Sequence, residues 1–416
     1  MRWKLVLCLV WMQLGACLAL SVTSQAQSYD IVIKNGHLFD AKNGINQPME
    51  LAILHGKIAK VASTIPAQEA KKVLDAAGMW ISPGFIDPHT HVFVGENPRV
   101  FAGGSSSVFP DAFSFRAGVT TVVDAGTSGW RNFEHFKTTV IDVAQTRVLA
   151  FLNIAGGGMS GDPFQQDIQD MNPEMTFNMI QKYPDLMVGV KIGHYEGKSW
   201  QPFDLAIEAA TLAKRPLIVE CHLPEYSLED QLKRMRPGDL LTHTYENIRD
   251  RSPVVDEQGK LRPEVLEAKN RGILFDLSHG GAGFWFDQAV PAIRQGLRPD
   301  TFGTDLHRFS MNSGMKNFAN VLSKFLALGL ELEEVLEKAT WGTAQALLRE
   351  DLGHLSEGAV ADLTLIRIRE GSFGFVDSGG VSIKGNRLIE PELTIRAGRI
   401  VYDLNGLSAT PLKIDN

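Results

Sequence analysis

The chain is poor in cysteine and has no long run of basic residues. Only Cys8, Cys17 and Cys221 occur among 416 residues, so disulfides cannot be what holds the fold together. The net charge is −7, which argues against nucleic acid and anionic membrane surfaces as partners. Because 44% of the residues are hydrophobic, core burial can stabilise one large domain together with a smaller one.

The apolar run near the start is short for a membrane span. Residues 5–20 are nearly all apolar, with Arg2 and Lys4 before them and a small residue, Ala26, after them. This order predicts a signal peptide over residues 1–26 and an exported protein, periplasmic or extracellular, without membrane contact after cleavage. A membrane anchor is one alternative. A lipoprotein anchored through Cys17 is the other, although the apolar residues that follow Cys17 speak against it.

Residues 156–161, after the third predicted strand, read Gly-Gly-Gly-Met-Ser-Gly, but no helical pattern begins there, so we interpret them as a loop near the site and not as a phosphate-binding loop. This weakens an open doubly wound sheet, the second choice of fold. Eight apolar segments instead predict parallel strands buried on both faces: residues 79–81 before the first histidines, then 118–124, 147–153, 187–192, 216–222, 239–243, 272–277 and 301–305. Helical patterns lie between them at 203–214, 227–235, 263–271 and 286–295. Such alternation predicts an α/β fold, a (β/α)8 TIM-like barrel.

Short strand patterns cluster at both ends of the mature chain. They occur near residues 30–34 and 51–58, and again near 361–366 and 393–402. The simplest packing joins them in one small β-sandwich. We therefore predict a sandwich built from residues 28–79 and 356–416, with the barrel over residues 80–355 between them.

Ligand-competent side chains end five of the predicted barrel strands. They are His89, His91, Lys191, His222, His243 and Asp305. In such barrels the catalytic groups lie at the carboxyl ends of the strands, and residues two apart in a strand point the same way. Imidazole is a common zinc ligand, whereas any one of these residues alone could be a buried core residue. The repetition at five strand ends predicts a shared metal site, which Asp87 could support.

Several motifs resemble those of the amidohydrolase superfamily of metal-dependent hydrolases. The first is Gly-Phe-Ile-Asp-Pro-His-Thr-His at 84–91, and the second is Gly-Thr-Asp-Leu-His at 303–307. Residues 236–243 and 275–280 resemble its dihydroorotase-like deacetylase branch, and residues 357–363 resemble the family's return to the sandwich. The resemblance covers essentially the whole mature chain.

This resemblance implies two divalent metal ions, with zinc expected although manganese, iron and cobalt tolerate the same ligands. His89, His91 and Asp305 would hold one ion, His222 and His243 would hold the other, and a carbamate on Lys191 would bridge them. A metal-activated hydroxide would attack the substrate, with Asp305 as the acid and base.

The implied activity is cleavage of an amide or ester, most simply a deacylase or deacetylase acting on a small acylated amino or hydroxy acid. Opening of a cyclic amide, as in dihydroorotases or hydantoinases, is an alternative. A non-catalytic metal- or ligand-binding protein is a further one. The expected partner is a small-molecule substrate, and a homo-oligomer remains open.

The chain departs from this branch just after Lys191. Basic residues are expected there, but residues 193–198 read Gly-His-Tyr-Glu-Gly-Lys. The substrate therefore cannot be taken over from the family. The candidate substrate contacts are His194, Tyr195, His279 and Arg308.

Overall fold

The computed structural model describes residues 28–220, 225–248 and 251–412. Its strands are, in chain order, β1 (Tyr29–Lys34), β2 (His37–Asp40), β3 (Ile45–Pro48), β4 (Glu50–Leu54), β5 (Lys57–Ala62), β6 (Ala70–Asp75), β7 (Trp80–Pro83), β8 (Phe85–Thr90), β9 (Val94–Asn97), β10 (Val119–Gly129), β11 (Arg147–Asn153), β12 (Met187–Gly193), β13 (Leu217–Glu220), β14 (Leu240–Leu241), β15 (Leu274–Phe275), β16 (Leu363–Val376), β17 (Ser382–Arg396) and β18 (Arg399–Asp403).

The α-helices are α1 (Phe133–Phe136), α2 (Pro173–Lys182), α3 (Gln201–Ala213), α4 (Leu228–Arg234), α5 (Pro263–Asn270), α6 (Phe286–Arg294), α7 (Phe318–Ala327), α8 (Leu332–Ala339) and α9 (Trp341–Ala346). The four helices predicted from the sequence are confirmed as α3, α4, α5 and α6. Among the described residues, no helix combines the length and the apolar character that a membrane span requires. The predicted signal peptide lies outside the described residues.

The largest sheet has seven strands, and its order is β8-β10-β11-β12-β13-β14-β15. All of its neighbouring strands are parallel, and the helices α2 to α5 lie between its successive strands. Every residue of β8, β10, β12 and β13 is buried. The prediction of parallel strands buried on both faces is confirmed for these strands.

The eighth predicted strand, residues 301–305, does not form a regular strand. Single bridges join Thr301 to Asp276 and Leu306 to Thr90, so this segment spans the two edges of the seven-stranded sheet. Its ladder is interrupted because the backbone N–H of Gly303 donates to the Asp276 carboxylate at 3.0 Å and that of Thr304 to Asp87 at 3.0 Å. The sheet is therefore curled and TIM-barrel-like, with seven regular strands.

Two smaller sheets lie beside the large one, and the second of them combines strands from both ends of the described chain. One has the order β5-β4-β1-β6, and the other has the order β18-β17-β16-β7-β2-β3. Side chains from both sheets share one apolar cluster, which includes Ile33, Leu51, Leu363 and Leu393. This pairing of early and late segments agrees with the β-sandwich predicted from the sequence.

The segment before the first histidines differs from the prediction. β7 was expected to lead into the barrel, but it lies in the six-stranded sheet, between β16 and β2. It pairs antiparallel with β16, with Pro83 opposite Leu363, and parallel with β2. The first strand of the large sheet is β8, which begins at Phe85.

Candidate metal centre

Two histidines and one carboxylate meet where β8 ends. The Nε2 atom of His91 lies 3.0 Å from Oδ1 of Asp305, and Nε2 of His89 lies 3.8 Å from the same oxygen. All three side chains are buried. The backbone N–H of Asp305 donates to the carbonyl of His89 at 2.7 Å, which fixes the carboxylate beside the histidine pair.

Threonine hydroxyl groups orient the His89 and His91 rings through their Nδ1 atoms. Nδ1 of His91 lies 2.8 Å from the Thr127 hydroxyl, and Nδ1 of His89 lies 3.0 Å from the Thr242 hydroxyl. The Thr242 hydroxyl donates to Asp276 at 2.9 Å, so it accepts from the His89 ring. These two hydrogen bonds place the proton of His89 on Nδ1 and leave the Nε2 lone pair facing Asp305. Metal-binding histidines are commonly held by such hydrogen bonds from the other ring nitrogen.

A second group lies at the ends of β12, β13 and β14. Oε1 of Glu220 is 3.0 Å from Nε2 of His243, and Oε2 is 2.5 Å from Nζ of Lys191. The ring of His243 is fixed because its Nδ1 lies 2.8 Å from the carbonyl of Ser278. His222, the other predicted ligand here, lies outside the described residues.

The donor set fits divalent metal ions. Nε2 of His89 is buried and has no hydrogen-bond partner in the described part of the chain, which is costly unless a ligand uses its lone pair. Ligand atoms of His89, His91 and Asp305 lie within 4.8 Å of one another, and so do those of His89, Glu220 and His243. Burial and the nearby Lys191 ammonium lower the pKa of His89 to about 4, so its imidazole is neutral, the form that binds metal.

Asp305 is held in its ionised form. Burial alone would raise the pKa of its carboxyl, but His307 and His91 more than offset burial, and the pKa lies well below the usual range. Nε2 of His307 is 3.6 Å from Oδ2 of Asp305. Local patterns offer no specific reason to select His307, although it ends the same motif as Asp305. The ion pair shows that His307 is a neighbour of the Asp305 carboxylate.

The pKa of His243 is shifted upwards, in contrast to that of Asp305. Burial lowers its pKa, but the Glu220 carboxylate raises it more, to about 9. The imidazole is therefore strongly attracted to the carboxylate at this end of the sheet. A cation placed between the two groups would meet one anionic oxygen and one ring nitrogen.

A cavity of about 500 Å³ opens above these residues. Its lining includes His194, Tyr195, Glu220, Asp305 and His307. Two of the four predicted substrate contacts, His194 and Tyr195, therefore face the same space as the candidate metal ligands. Nε2 of His194 also lies 3.0 Å from Oε1 of Glu220.

The other two predicted contacts lie elsewhere. Both ring nitrogens of His279 are occupied, Nδ1 3.0 Å from the Gly280 carbonyl and Nε2 2.6 Å from Nζ of Lys324, and the residue is fully buried outside the cavity lining. Arg308 is exposed, and its guanidinium lies 5.8 Å from the centre of the Phe309 ring. Neither side chain lines the cavity, although both were predicted to contact the substrate.

Glu220, Glu246 and Arg251 are further cavity residues that the sequence-based prediction missed. Glu220 carried a signal, since it is two residues from His222 and so shares its side of the strand. Glu246 and Arg251 form an ion pair in the cavity wall, and they carried no such signal because they follow the strand end in a loop.

Comparison with known proteins agrees with this arrangement. A curated protein of Enterococcus faecalis named as a deacetylase is 31% identical over 384 residues, which span 90% of this chain and 99% of that protein. The chain belongs to the amidohydrolase superfamily. A family model described as "Amidohydrolase family" matches residues 286–387.

Solved structures of the superfamily share the fold. A crystal structure of an adenine deaminase is 30% identical with a TM-score of 0.80, and covers 90% of this chain and 100% of its own. A crystal structure of a dihydroorotase is 28% identical with a TM-score of 0.78, and covers 90% of this chain and 99% of its own. These similarities show that the protein is a hydrolase of the amidohydrolase type, with a TIM-barrel-like fold and a β-sandwich. The three names describe different substrates, so the name of a relative does not decide the substrate here.

Proposed function

We propose that this protein is a metal-dependent hydrolase that removes a small acyl group, such as acetyl, from an N- or O-acylated amino or hydroxy acid. The observation that carries the proposal is the Asp305 carboxylate, which lines the cavity, lies beside His91 and faces Nε2 of His89, an atom with no hydrogen-bond partner among the described residues. A pure binding protein needs no ionised carboxylate poised there for proton transfer. The deacetylase relative supports the acyl class.

The first ion would be held by His89, His91 and Asp305, and the second by His243 with groups at the ends of β12 and β13. Zinc is the proposed metal, since imidazole and carboxylate ligands suit it. When bound, such ions lower the pKa of water and polarise a substrate carbonyl.

The chain's own residues supply proton transfer and binding. Asp305 accepts the proton of the attacking water and returns it to the leaving nitrogen or oxygen, so the products are a carboxylic acid and an amine or alcohol. His307 keeps this carboxylate ionised. His194, Tyr195 and Arg251 line the cavity and offer polar contacts to the rest of a small substrate.

Cyclic amide opening is the second candidate function, supported by the structural similarity to a dihydroorotase. Purified zinc-loaded protein should be assayed with N-acyl amino acids, O-acyl hydroxy acids and cyclic amides. We expect turnover of an acylated acid that is lost on zinc removal. Turnover of cyclic amides alone would replace the deacylase with the second candidate, and metal binding without any turnover would replace both with a binding protein.

We also propose export, on the basis of residues 1–26. Cleavage after Ala26 would give a mature protein that begins near Gln27. Intact-mass measurement of the secreted protein tests this. A lipid-modified Cys17 at the N-terminus would overturn cleavage after Ala26 and show an anchored protein instead.

A further inference from the structure

The hairpin of β16 and β17 reaches from the six-stranded sheet to the barrel. Residues 369–372, in the middle of β16, are exposed, whereas Phe375 and Asp377 near its end are only 1% and 2% exposed. Phe375 belongs to an apolar cluster that it shares with the barrel strands β10 to β13. The turn of the hairpin, residues 377–381, therefore contacts the barrel.

This turn pairs with the backbone that follows the cavity-lining loop after β15. The N–H of Ser378 donates to the carbonyl of Phe284 at 2.8 Å, and the N–H of Phe284 donates to the Ser378 hydroxyl at 3.3 Å. The N–H of Phe286 donates to Oδ2 of Asp377 at 3.0 Å. Because Phe284 and Phe286 are buried, these backbone groups need protein partners, and the turn supplies them.

Asp377 also caps α6 from a distant part of the chain. α6 begins at Phe286, and the side chain of the residue before it, Trp285, makes no capping hydrogen bond. The Asp377 carboxylate, 91 positions away, accepts from the first N–H of the helix instead, where a negative charge is favourable. Its Oδ1 atom accepts from the N–H groups of Gly379 and Val381 at 2.9 and 2.8 Å, which fixes the carboxylate.

The cavity wall between β15 and α6 is made of very small residues. It consists of residues 281–283, Gly-Ala-Gly, whose side chains offer little packing and whose glycines leave the backbone conformationally free. Towards β15 the barrel holds this wall, because the N–H of Gly280 donates to the Thr304 carbonyl at 2.9 Å. Towards α6 it is held by the buried ring of Phe284 and by the hairpin turn.

We propose that Asp377 is a positioning residue, which acts through the turn 377–381 to hold the cavity wall, residues 281–283, where it contacts the bound substrate. Asp305 and His243 are fixed by hydrogen bonds within the barrel. The turn therefore affects substrate binding more than the chemical step. This inference rests on the proposed function, because it requires a substrate in this cavity.

The first test measures the wall itself and needs no substrate. Asp377→Ala removes the three hydrogen bonds of the carboxylate. Asp403→Ala is the matched control, because Asp403 also accepts three hydrogen bonds, from Leu407 and Ser408 in the turn after β18, and does not line the cavity. In hydrogen exchange followed by mass spectrometry, the amides of residues 281–286 should exchange about tenfold faster or more in Asp377→Ala, and at the parent rate in the control.

The second test is steady-state kinetics of the full-length mature protein with the substrate found by the screen. KM should rise about tenfold in Asp377→Ala with kcat within about threefold of the parent, because a loosened wall must be ordered when substrate binds. Both constants should stay at the parent values in Asp403→Ala. If Asp377→Ala does not fold, Asp377→Asn, which keeps the shape and one acceptor oxygen, should show the same pattern to a smaller extent.

Unchanged exchange at residues 281–286, an unchanged KM, or an equal rise of KM in the Asp403 variant would overturn the role of Asp377 alone. So would a fall in kcat at constant KM. A parent that turns over none of the screened substrates would instead overturn the proposed function, and this inference with it.

Discussion

Asp305→Asn is the most informative single change at the site. The backbone of Asp305 has φ +50°, in the left-handed region that asparagine tolerates better than most residues, so the substitution adds little strain. The amide oxygen can still face Nε2 of His91, which lies 3.0 Å from the native Oδ1. What the variant loses is a group that can accept a proton.

The expected magnitude follows from that single loss. A positioned acid or base contributes about 10²–10⁴-fold to turnover, which corresponds to roughly 3–5 kcal/mol in activation free energy. Binding should change far less, because the cavity wall, with His194 and Tyr195, is untouched. We therefore expect a large fall in kcat with a small change in KM.

Steady-state kinetics on the substrate found by the screen would measure both constants, with zinc content determined on the same samples. Asp142→Asn is the matched control, since Asp142 is a surface carboxylate paired with Lys137. A variant with unchanged zinc and kcat within a few-fold of the parent would refute the role of Asp305. His307, which lines the cavity beside it, would then be the first candidate for proton transfer.

Three further predictions follow from the surroundings of the site. Gly280→Ala should lower kcat about tenfold or more without unfolding the protein, because the added Cβ would come 2.3 Å from Oδ2 of Asp305. In the control Gly374→Ala the added Cβ meets no atom within 4 Å, so kcat should not change. Equal kcat values in the two variants would contradict this prediction. Burial lowers the pKa of Lys324 from 10.5 to about 7. Between those pH values the unfolded chain binds more protons, so the free energy of unfolding should rise with pH by a few kcal/mol. Lys324→Met should lose that rise in urea titrations, and an unchanged rise would exclude Lys324 as its source. Chelation should remove activity and lower the melting temperature, and zinc should restore both, because the ions bind only the folded chain; a melting temperature that chelation leaves unchanged would argue against ions at the buried site.

Much of this protein could be predicted from local patterns in the chain. Short, nearly continuous apolar runs predicted the parallel strands, and the amphipathic stretches between them predicted α3 to α6. His89 and His91 could be placed together because side chains two apart in a strand share a side. The end of a strand also predicted Lys191, His243 and Asp305 as neighbours, and the structure brings them to one end of the sheet.

The tertiary structure alone decided which partner each polar group meets. His279 ends a predicted strand just as His243 does, but it turns to Lys324 on α7, a residue 45 positions away in the chain. β7 joined the smaller sheet because its partner, β16, lies far along the chain. The Glu220–Lys191 ion pair depends on the register between β12 and β13. Local sequence fixes the periodicity of side chains along an element, whereas distant parts of the chain determine what stands opposite each of them.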